Sequence, residues 1–309
     1  MIGRYAIYSI GTNSTRVLVA DHDESGAWRV CRAGSIGTRI GRALRDRGSL
    51  EPQAEEATYA ALVEHAAMVA SLHVTASYLI ATSALRRAAG AQAFAARCSA
   101  LVGAAMEILD GAAEARYSFL GASALCVSPD EGEIAVADVG GGSTEYAVGR
   151  PGNPQWLASC EIGAVRLTEA VAGLSGVVTP EQLASAQERI RTALASLRQA
   201  PKASRLLLVG GSATSTIALL RGASRPFVCA ALRRSDLQRS CRELLELPLE
   251  RRRELPGMNP QRADILAAGQ LLLEGLYDIA GVESATVSTA DLLLGYLASH
   301  VERPQTPLG

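Results

Sequence analysis

The sequence predicts an α/β protein of two domains, and three observations lead to that fold class. The chain has 309 residues, the length of about two ordinary domains. Strand-like apolar runs alternate with helical segments along it. A strand–glycine turn–strand pattern occurs twice, near the start of each half. We therefore expect a first domain of residues 1–125, joined by the final segment 290–309, and a second domain of residues 126–289.

The first half opens with two apolar runs that predict a β-hairpin. Residues 5–10 and 15–20 flank a turn that contains Gly11. Helical periodicity, with acidic residues at its start, then predicts a long helix over 51–72. Shorter elements follow in alternation: strands at 28–32, 78–80 and 106–109, and helices at 92–101 and 112–125.

The second half repeats this alternation. Apolar runs at 133–139 and 144–148 surround a triple-glycine turn. Thr179 followed by Pro180 is typical of a helix start, because threonine caps the N-terminus and proline suits the first turn. The remaining predicted elements are a helix from 180 to about 199, a strand at 206–209, a helix after Ser212, helices at 236–245, 262–279 and 290–300, and a strand at 285–287.

Composition excludes several classes of function. The formal net charge of −1 gives no general attraction to nucleic acid or to an anionic membrane. No stretch approaches the ~20 apolar residues of a transmembrane helix, and the chain enters a strand-like run without a signal segment, so we expect a cytoplasmic protein. The six cysteines are scattered without a Cys-x-x-Cys pair, which argues against zinc and favours free thiols. The arginine run 251–253 is interpreted as a solvated charge run, with a substrate-facing role as the alternative.

The two glycine turns match each other over a dozen residues. In the stretches beginning at Tyr8 and Ala137, Ser9 aligns with Asp138 and Gly11 aligns with Gly140. The Ser-Thr pair that follows each turn also aligns, and apolar runs flank both turns. Chance similarity of two glycine turns is one interpretation, but the number of matched positions favours an internal duplication.

Such turns suit phosphate binding. A glycine-rich turn can present several convergent backbone N–H groups, and the missing Cβ atoms let an anion approach closely. Asp138 and Glu145 flank the second turn. Carboxylates repel phosphate directly but can hold Mg²⁺, which then bridges to it. A hairpin that uses glycine only for its conformation is the alternative for either turn alone.

Seven motifs carry a resemblance to a known family. In chain order they are IGTNSTRVLV, ATSALRRA, GAAEARYSFLGA, DVGGGSTEYAVG, EIGAVRLTE, LLLVGGSATSTIAL and PQRADILAAG. The chain resembles the exopolyphosphatase and guanosine pentaphosphate phosphohydrolase (Ppx/GppA) family in its short, two-domain form. The resemblance extends from about residue 6 to about residue 296. It implies the actin–sugar kinase–Hsp70 fold, with two ribonuclease-H-like domains, an active-site cleft between them, and a homodimer as one possible assembly.

The resemblance also implies residue roles. Glu114 matches the general base that activates water, with a solvated helix-face glutamate as the alternative. Arg86 matches an arginine directed at the phosphates, and Asp138 and Glu145 match the ligands of Mg²⁺ or Mn²⁺. The residues that match phosphate-binding loops are Gly11, Thr12, Asn13, Ser14, Gly140, Gly141, Gly142, Ser143, Thr144, Gly210, Gly211 and Ser212. For the loop that begins at Gly210, a packing turn is the alternative.

The resemblance predicts a metal-dependent hydrolase that releases terminal phosphate from inorganic polyphosphate. Hydrolysis of guanosine pentaphosphate is the alternative within the family. One departure stands out: the first loop of the family usually begins with aspartate, and Ser9 occupies that position here. The missing carboxylate raises a third interpretation, a catalytically weak protein that binds polyphosphate or an alarmone.

Overall fold

A computed structural model describes residues 3–42, 44 and 48–301 of the chain. It divides into two compact units, one of Met1–Asp110 with Leu293–Gly309 and the other of Gly111–Leu292. Each unit is built around one sheet. No helix in these described ranges is long and apolar enough to cross a membrane.

The first unit has a five-stranded sheet in the order β3-β2-β1-β4-β5. Its strands are β1 (Gly3–Ile10), β2 (Ser14–His22), β3 (Trp28–Gly37), β4 (Ala76–Ala81) and β5 (Met106–Ile108). The pairs β1–β2 and β2–β3 are antiparallel, whereas β4 is parallel to both β1 and β5. Its first helices are α1 (Pro52–Ala70), α2 (Ser83–Arg87) and α3 (Ala91–Val102).

The second unit has a six-stranded sheet in the order β10-β11-β9-β6-β7-β8. Its strands are β6 (Ile134–Val139), β7 (Thr144–Arg150), β8 (Asn153–Cys160), β9 (Arg205–Val209), β10 (Cys229–Arg233) and β11 (Ser284–Ser288). Its helices are α4 (Gly111–Cys126), α5 (Ala164–Ala170), α6 (Pro180–Ala193), α7 (Gly210–Leu220), α8 (Arg234–Glu246), α9 (Leu249–Glu254) and α10 (Leu266–Ala280), with 3₁₀ turns at Ala195–Gln199 and Pro260–Arg262. The last helix, α11 (Leu292–His300), belongs to the first unit from Leu293 onward.

The two sheets share one plan, which confirms the predicted fold class. In each, an antiparallel three-stranded meander (β1–β3 or β6–β8) is extended from its first strand by parallel strands. The added strands are β4 and β5 in the first unit and β9 and β11 in the second. The two glycine turns predicted from sequence occupy the same place, between the first and second strands of the two meanders.

Helix α4 belongs to the second unit, so the units divide after residue 110 rather than after residue 125. The reason is packing. Ala115, Phe119 and Ala122 form one apolar face of α4 and are almost fully buried. That face lies in a cluster with residues of β6, β7 and β9, among them Val136 and Leu207. The helix that carries Glu114 is therefore fixed to the sheet that carries Asp138 and Glu145.

Two sequence expectations about polar residues were only partly right, since four cysteines are free thiols and the outer two arginines of the 251–253 run are exposed. Cys126 and Cys229 form a disulfide, because the end of α4 comes within 6.0 Å (Cα to Cα) of the start of β10, although 103 positions separate them in sequence. Arg252 is not solvated: it is fully buried and donates hydrogen bonds to the carbonyls of Leu247, Leu174 and Gly176. Burial lowers its pKa to about 10. Its guanidinium thus supplies donors for the loop that follows α5.

Candidate active site

The second glycine turn places two carboxylates side by side. In the β6–β7 pair, Asp138 lies directly opposite Glu145, and Val139 lies opposite Thr144. The amide of Gly140 donates to the carbonyl of Ser143 at 3.0 Å, which closes the turn. Directly opposite residues of an antiparallel pair present neighbouring side chains on one face. Asp138 and Glu145 therefore share one face of the sheet next to the turn.

The backbone of this turn is oriented by α5. Amides at the start of α5 donate to the carbonyl of Gly140 at 2.9 Å and to that of Gly141 at 2.9 and 3.1 Å. Gly163 allows this approach, since a Cβ there would lie 2.5 Å from the Gly141 carbonyl. With these carbonyls engaged, the amides of Gly141, Gly142 and Ser143 donate to no main-chain carbonyl of another described residue. Such a group of convergent amides can bind an anion.

Two buried carboxylates and one half-buried carboxylate, that of Asp138, lie together beside the turn. Only 3% of Glu145 and 5% of Glu114 are exposed. Burial raises the pKa of Glu145 well above its ordinary value, and the charges of Glu114 and Asp138 raise it further. Hydroxyl donors on Ser143 and Ser159 oppose this rise only in part. The surroundings of Glu145 therefore disfavour its negative charge.

Such a cluster fits a divalent cation. Within the described residues, no three His, Cys, Asp or Glu side chains form a ligand group of their own. Mg²⁺ does not need one, because it commonly binds through one or two carboxylates and completes its shell with water and substrate phosphate. Asp138 and Glu145 suit that partial coordination, and oxygen ligands suit Mg²⁺ or Mn²⁺.

The start of α7 lies beside Asp138. Gly210 has a φ of +82°, and a Cβ there would lie 2.2 Å from Asp138 Oδ1. A Cβ on Gly211 would lie 2.1 Å from Arg262 Nη1. The hydroxyl of Ser212 donates to the carbonyl of Val139 at 3.2 Å, so it holds α7 against β6. The third predicted loop thus reaches Asp138, although its serine hydroxyl is used to bond the main chain.

Arg262 is a site residue that sequence reasoning missed. It ends the 3₁₀ turn Pro260–Arg262, which the side chain of Asn259 caps by accepting from the amide of Gln261 at 3.0 Å. Its guanidinium lies against Gly211 at the positive end of the α7 dipole. The motif PQRADILAAG contains this arginine, but only the fold brings it beside Gly211.

The first glycine turn has the same backbone design. The amide of Gly11 donates to the carbonyl of Ser14 at 3.0 Å, and Ser9 lies opposite Arg16 in the β1–β2 pair. The carbonyl of Asn13 accepts two main-chain amides from the segment after β3, each at 3.0 Å. The buried Oδ1 of Asn13 has no hydrogen-bond partner within the described residues. The turn, which includes Thr12, is thus held from outside much as the second turn is held by α5.

Two predicted residues use their side chains to bond the backbone. Arg86, in the last turn of α2, donates from Nη1 to the carbonyl of Leu109 at 2.7 Å. The hydroxyl of Thr144 donates to the carbonyl of Ile162 at 2.6 Å and is fully buried. A phosphate contact by either side chain stays a prediction.

Comparison with known proteins gives a consistent result. The model of the Ppx/GppA phosphatase family matches residues 18–303. The chain is 31% identical over 324 aligned positions to exopolyphosphatase 2 of Mycobacterium tuberculosis, covering 96% of this chain and 98% of that protein. It is 24% identical to the guanosine-5'-triphosphate,3'-diphosphate pyrophosphatase of Aliivibrio fischeri, over 97% of this chain but 60% of that longer protein.

Solved structures give the same family. The PPX-GPPA enzyme of Aquifex aeolicus superposes with a TM-score of 0.80 at 26% identity, covering 96% of this chain and 99% of that one. The similarity therefore includes both units and the segments that carry the carboxylates and the glycine turns.

Proposed function

Because this chain belongs to the Ppx/GppA phosphatase family, we propose that it is a metal-dependent hydrolase that releases terminal phosphate from inorganic polyphosphate. The observation that carries the proposal is the cluster of Glu114, Asp138 and Glu145 beside the amides of the second glycine turn. Phosphoryl transfer needs little covalent help from the protein and depends on positioning and charge stabilisation. The carboxylate cluster and the amides of the turn supply groups for positioning and for charge stabilisation.

Each group has a role in the proposed reaction. Glu114 accepts a proton from water as the water oxygen bonds to the terminal phosphorus and the bridging P–O bond breaks. The amides of Gly141 and Gly142 donate to phosphate oxygens. Asp138 and Glu145 would hold a divalent cation, which would neutralise part of the phosphate charge. Orthophosphate and a chain shorter by one unit leave.

Polyphosphate is favoured as the substrate by the mycobacterial relative, which matches the chain over nearly its whole length. The start of α7 lies beside Asp138, and Arg262 lies beside Gly211 in the same helix start. Their positive charge suits a substrate with several phosphates in a row. Guanosine pentaphosphate is the second candidate substrate. It is favoured by the similarity to the pyrophosphatase of Aliivibrio fischeri, which extends over 97% of this chain.

Ser9 favours a different class of function. It is 4% exposed and lies where the family resemblance places an aspartate. A first turn without that carboxylate is consistent with a protein that binds polyphosphate or an alarmone and turns it over slowly. This candidate differs from the enzyme in its turnover and not in its ligand.

The test is phosphate release from long-chain polyphosphate, guanosine pentaphosphate and ATP, each titrated with Mg²⁺ and Mn²⁺. Release that is fastest from polyphosphate and requires the metal supports the proposal. Preference for guanosine pentaphosphate supports the second candidate. Absence of release from all three, with polyphosphate binding retained in calorimetry, contradicts the enzyme and supports the binding protein.

A further inference from the structure

Helix α4 contributes two polar side chains to the carboxylate cluster. Glu114 and Ser118 are four residues apart, so they lie on the same face of the helix one turn from each other. Both are buried, with 5% and 2% of their surfaces exposed. Ser118 Oγ donates to Asp138 Oδ2 at 2.8 Å. The helix that carries the proposed general base is thus bonded to the first proposed metal ligand.

A second serine makes the equivalent bond to the other carboxylate. Ser159, on β8, lies directly opposite Glu145 and donates from Oγ to Glu145 Oε1 at 2.8 Å. Gly111, the first residue of α4, packs directly against this serine. A Cβ on Gly111 would lie 2.4 Å from Ser159 Cβ and 2.6 Å from its Oγ. The start of α4 therefore limits where the hydroxyl of Ser159 can be.

These bonds matter because two of the three carboxylates are almost fully buried and their charges repel one another. A hydroxyl that donates to a carboxylate fixes the plane of that carboxylate and lowers the cost of its charge. Hydrogen bonds to metal-binding carboxylates orient them in the same way. The apolar face of α4, which includes Phe119, is packed on the sheet. The helix therefore fixes the position of Ser118 and, through Gly111, limits the position of Ser159.

We propose that Ser118 and Ser159 are positioning residues that orient Asp138 and Glu145 toward a divalent cation, with α4 aligning both carboxylates to Glu114. The inference rests on the proposed function for the presence of a metal. Beyond that function, it assigns the orientation of the two metal-binding carboxylates to Ser118 and Ser159. It requires no contact between either serine and the substrate.

The test is direct binding of Mn²⁺ to the full chain, followed by the loss of the electron paramagnetic resonance signal of free Mn²⁺. Ser118→Ala and Ser159→Ala are each expected to weaken Mn²⁺ binding by about tenfold or more, the usual effect of removing such a support. Ser118→Thr keeps the hydroxyl and is expected to restore binding. Gly111→Ala places a methyl group against Ser159, so it is expected to weaken binding as Ser159→Ala does.

Ser123→Ala is the matched control. Ser123 is also on α4 and is 6% exposed, but its hydroxyl donates to the carbonyl of Leu120 at 3.2 Å and not to a carboxylate. Its replacement is expected to leave Mn²⁺ affinity unchanged. Thermal unfolding of each variant without metal shows whether a loss of binding reflects a loss of folded protein.

Unchanged Mn²⁺ affinity in folded Ser118→Ala and Ser159→Ala would overturn the inference, as would an equal loss in Ser123→Ala. Absence of Mn²⁺ binding to the unaltered protein would overturn it too.

Phosphate release is measured separately. If the unaltered protein binds Mn²⁺ and the serine variants bind it less well, the inference is supported, whereas a lack of phosphate release in the same protein contradicts only the proposed function. In an active enzyme, the serine variants are expected to need more Mg²⁺ for the half-maximal rate and to recover turnover at saturating Mg²⁺.

Discussion

Ser9 and Asp138 occupy equivalent positions in two matching hairpins. Each lies two residues before the first glycine of its turn, and each turn is closed by the same amide-to-carbonyl bond at 3.0 Å. The residue across the strand pair is Arg16 for Ser9 and Glu145 for Asp138. The second unit therefore has two carboxylates where the first has a hydroxyl and a guanidinium. Adding a carboxylate at position 9 therefore tests whether the first turn limits metal binding.

Ser9→Asp is expected to lower the Mg²⁺ concentration needed for half-maximal phosphate release by about tenfold, a gain of about 1.4 kcal/mol in cation binding. The added carboxylate lies opposite Arg16, whose charge makes its burial tolerable. The measurement is initial rate against Mg²⁺ concentration. Ser71→Asp, at the exposed position that follows α1, is the control for added charge alone. No gain at any Mg²⁺ concentration would exclude a metal-site defect at Ser9.

Glu114→Gln is expected to reduce turnover by about 10²–10⁴-fold, because an amide cannot take the proton of the attacking water. The replacement keeps the size of the side chain and removes one of the charges that raise the pKa of Glu145, so substrate binding is expected to persist. Stopped-assay phosphate release gives the turnover, and calorimetry with polyphosphate gives the binding. Glu246→Gln, exposed at the end of α8, is the control. Unchanged turnover would remove Glu114 from the mechanism.

Gly211→Ala tests the place of Arg262. The new methyl group would lie 2.1 Å from Arg262 Nη1, so the guanidinium must move, while the helix itself is expected to tolerate alanine. We expect the KM for polyphosphate to rise by about tenfold, which is the effect of losing one charge-assisted hydrogen bond to the substrate. Arg262→Lys, which loses the guanidinium fork, is expected to act in the same direction.

The control for this substitution is Gly132→Ala, whose added methyl group has open space. Its KM is expected to equal that of the unaltered protein. If Gly211→Ala and Arg262→Lys also leave the KM unchanged, Arg262 makes no contact that the substrate depends on.

What the sequence could predict was local. Thr179 and Pro180 predict the start of α6, and the structure adds reciprocal bonds there: the amide of Gln182 donates to Thr179 Oγ1 at 3.3 Å, and the amide of Thr179 donates to Gln182 Oε1 at 2.8 Å. The glycine turns were located for the same reason, because a turn is encoded by adjacent residues. The bonds from Ser118 and Ser159 join positions 20 and 14 residues apart on different elements. No local pattern distinguishes these serines from other serines, so only the packing of α4 and the pairing of β7 with β8 reveal them.

The disulfide between Cys126 and Cys229 was missed because 103 positions separate the two cysteines. It joins the end of α4 to the start of β10, both within the second unit. A cross-link that closes so long a loop restricts the unfolded chain strongly, and disulfides typically contribute about 2–4 kcal/mol to the free energy of unfolding. Reduction, or the double substitution Cys126→Ser with Cys229→Ser, is expected to lower the unfolding free energy of the second unit by that amount.

Tryptophan fluorescence during urea unfolding can report this unit by itself. The chain has two tryptophans, Trp28 on β3 and Trp156 on β8, so Trp28→Phe leaves only the probe in the second unit. Cys31→Ser, which removes a thiol outside the disulfide, is the matched control and is expected to leave the Trp156 transition unchanged. An identical urea midpoint for the oxidised and reduced forms would show that the bond does not stabilise the unit. A lower midpoint on reduction, absent in the double-serine variant, would assign the stabilisation to this disulfide.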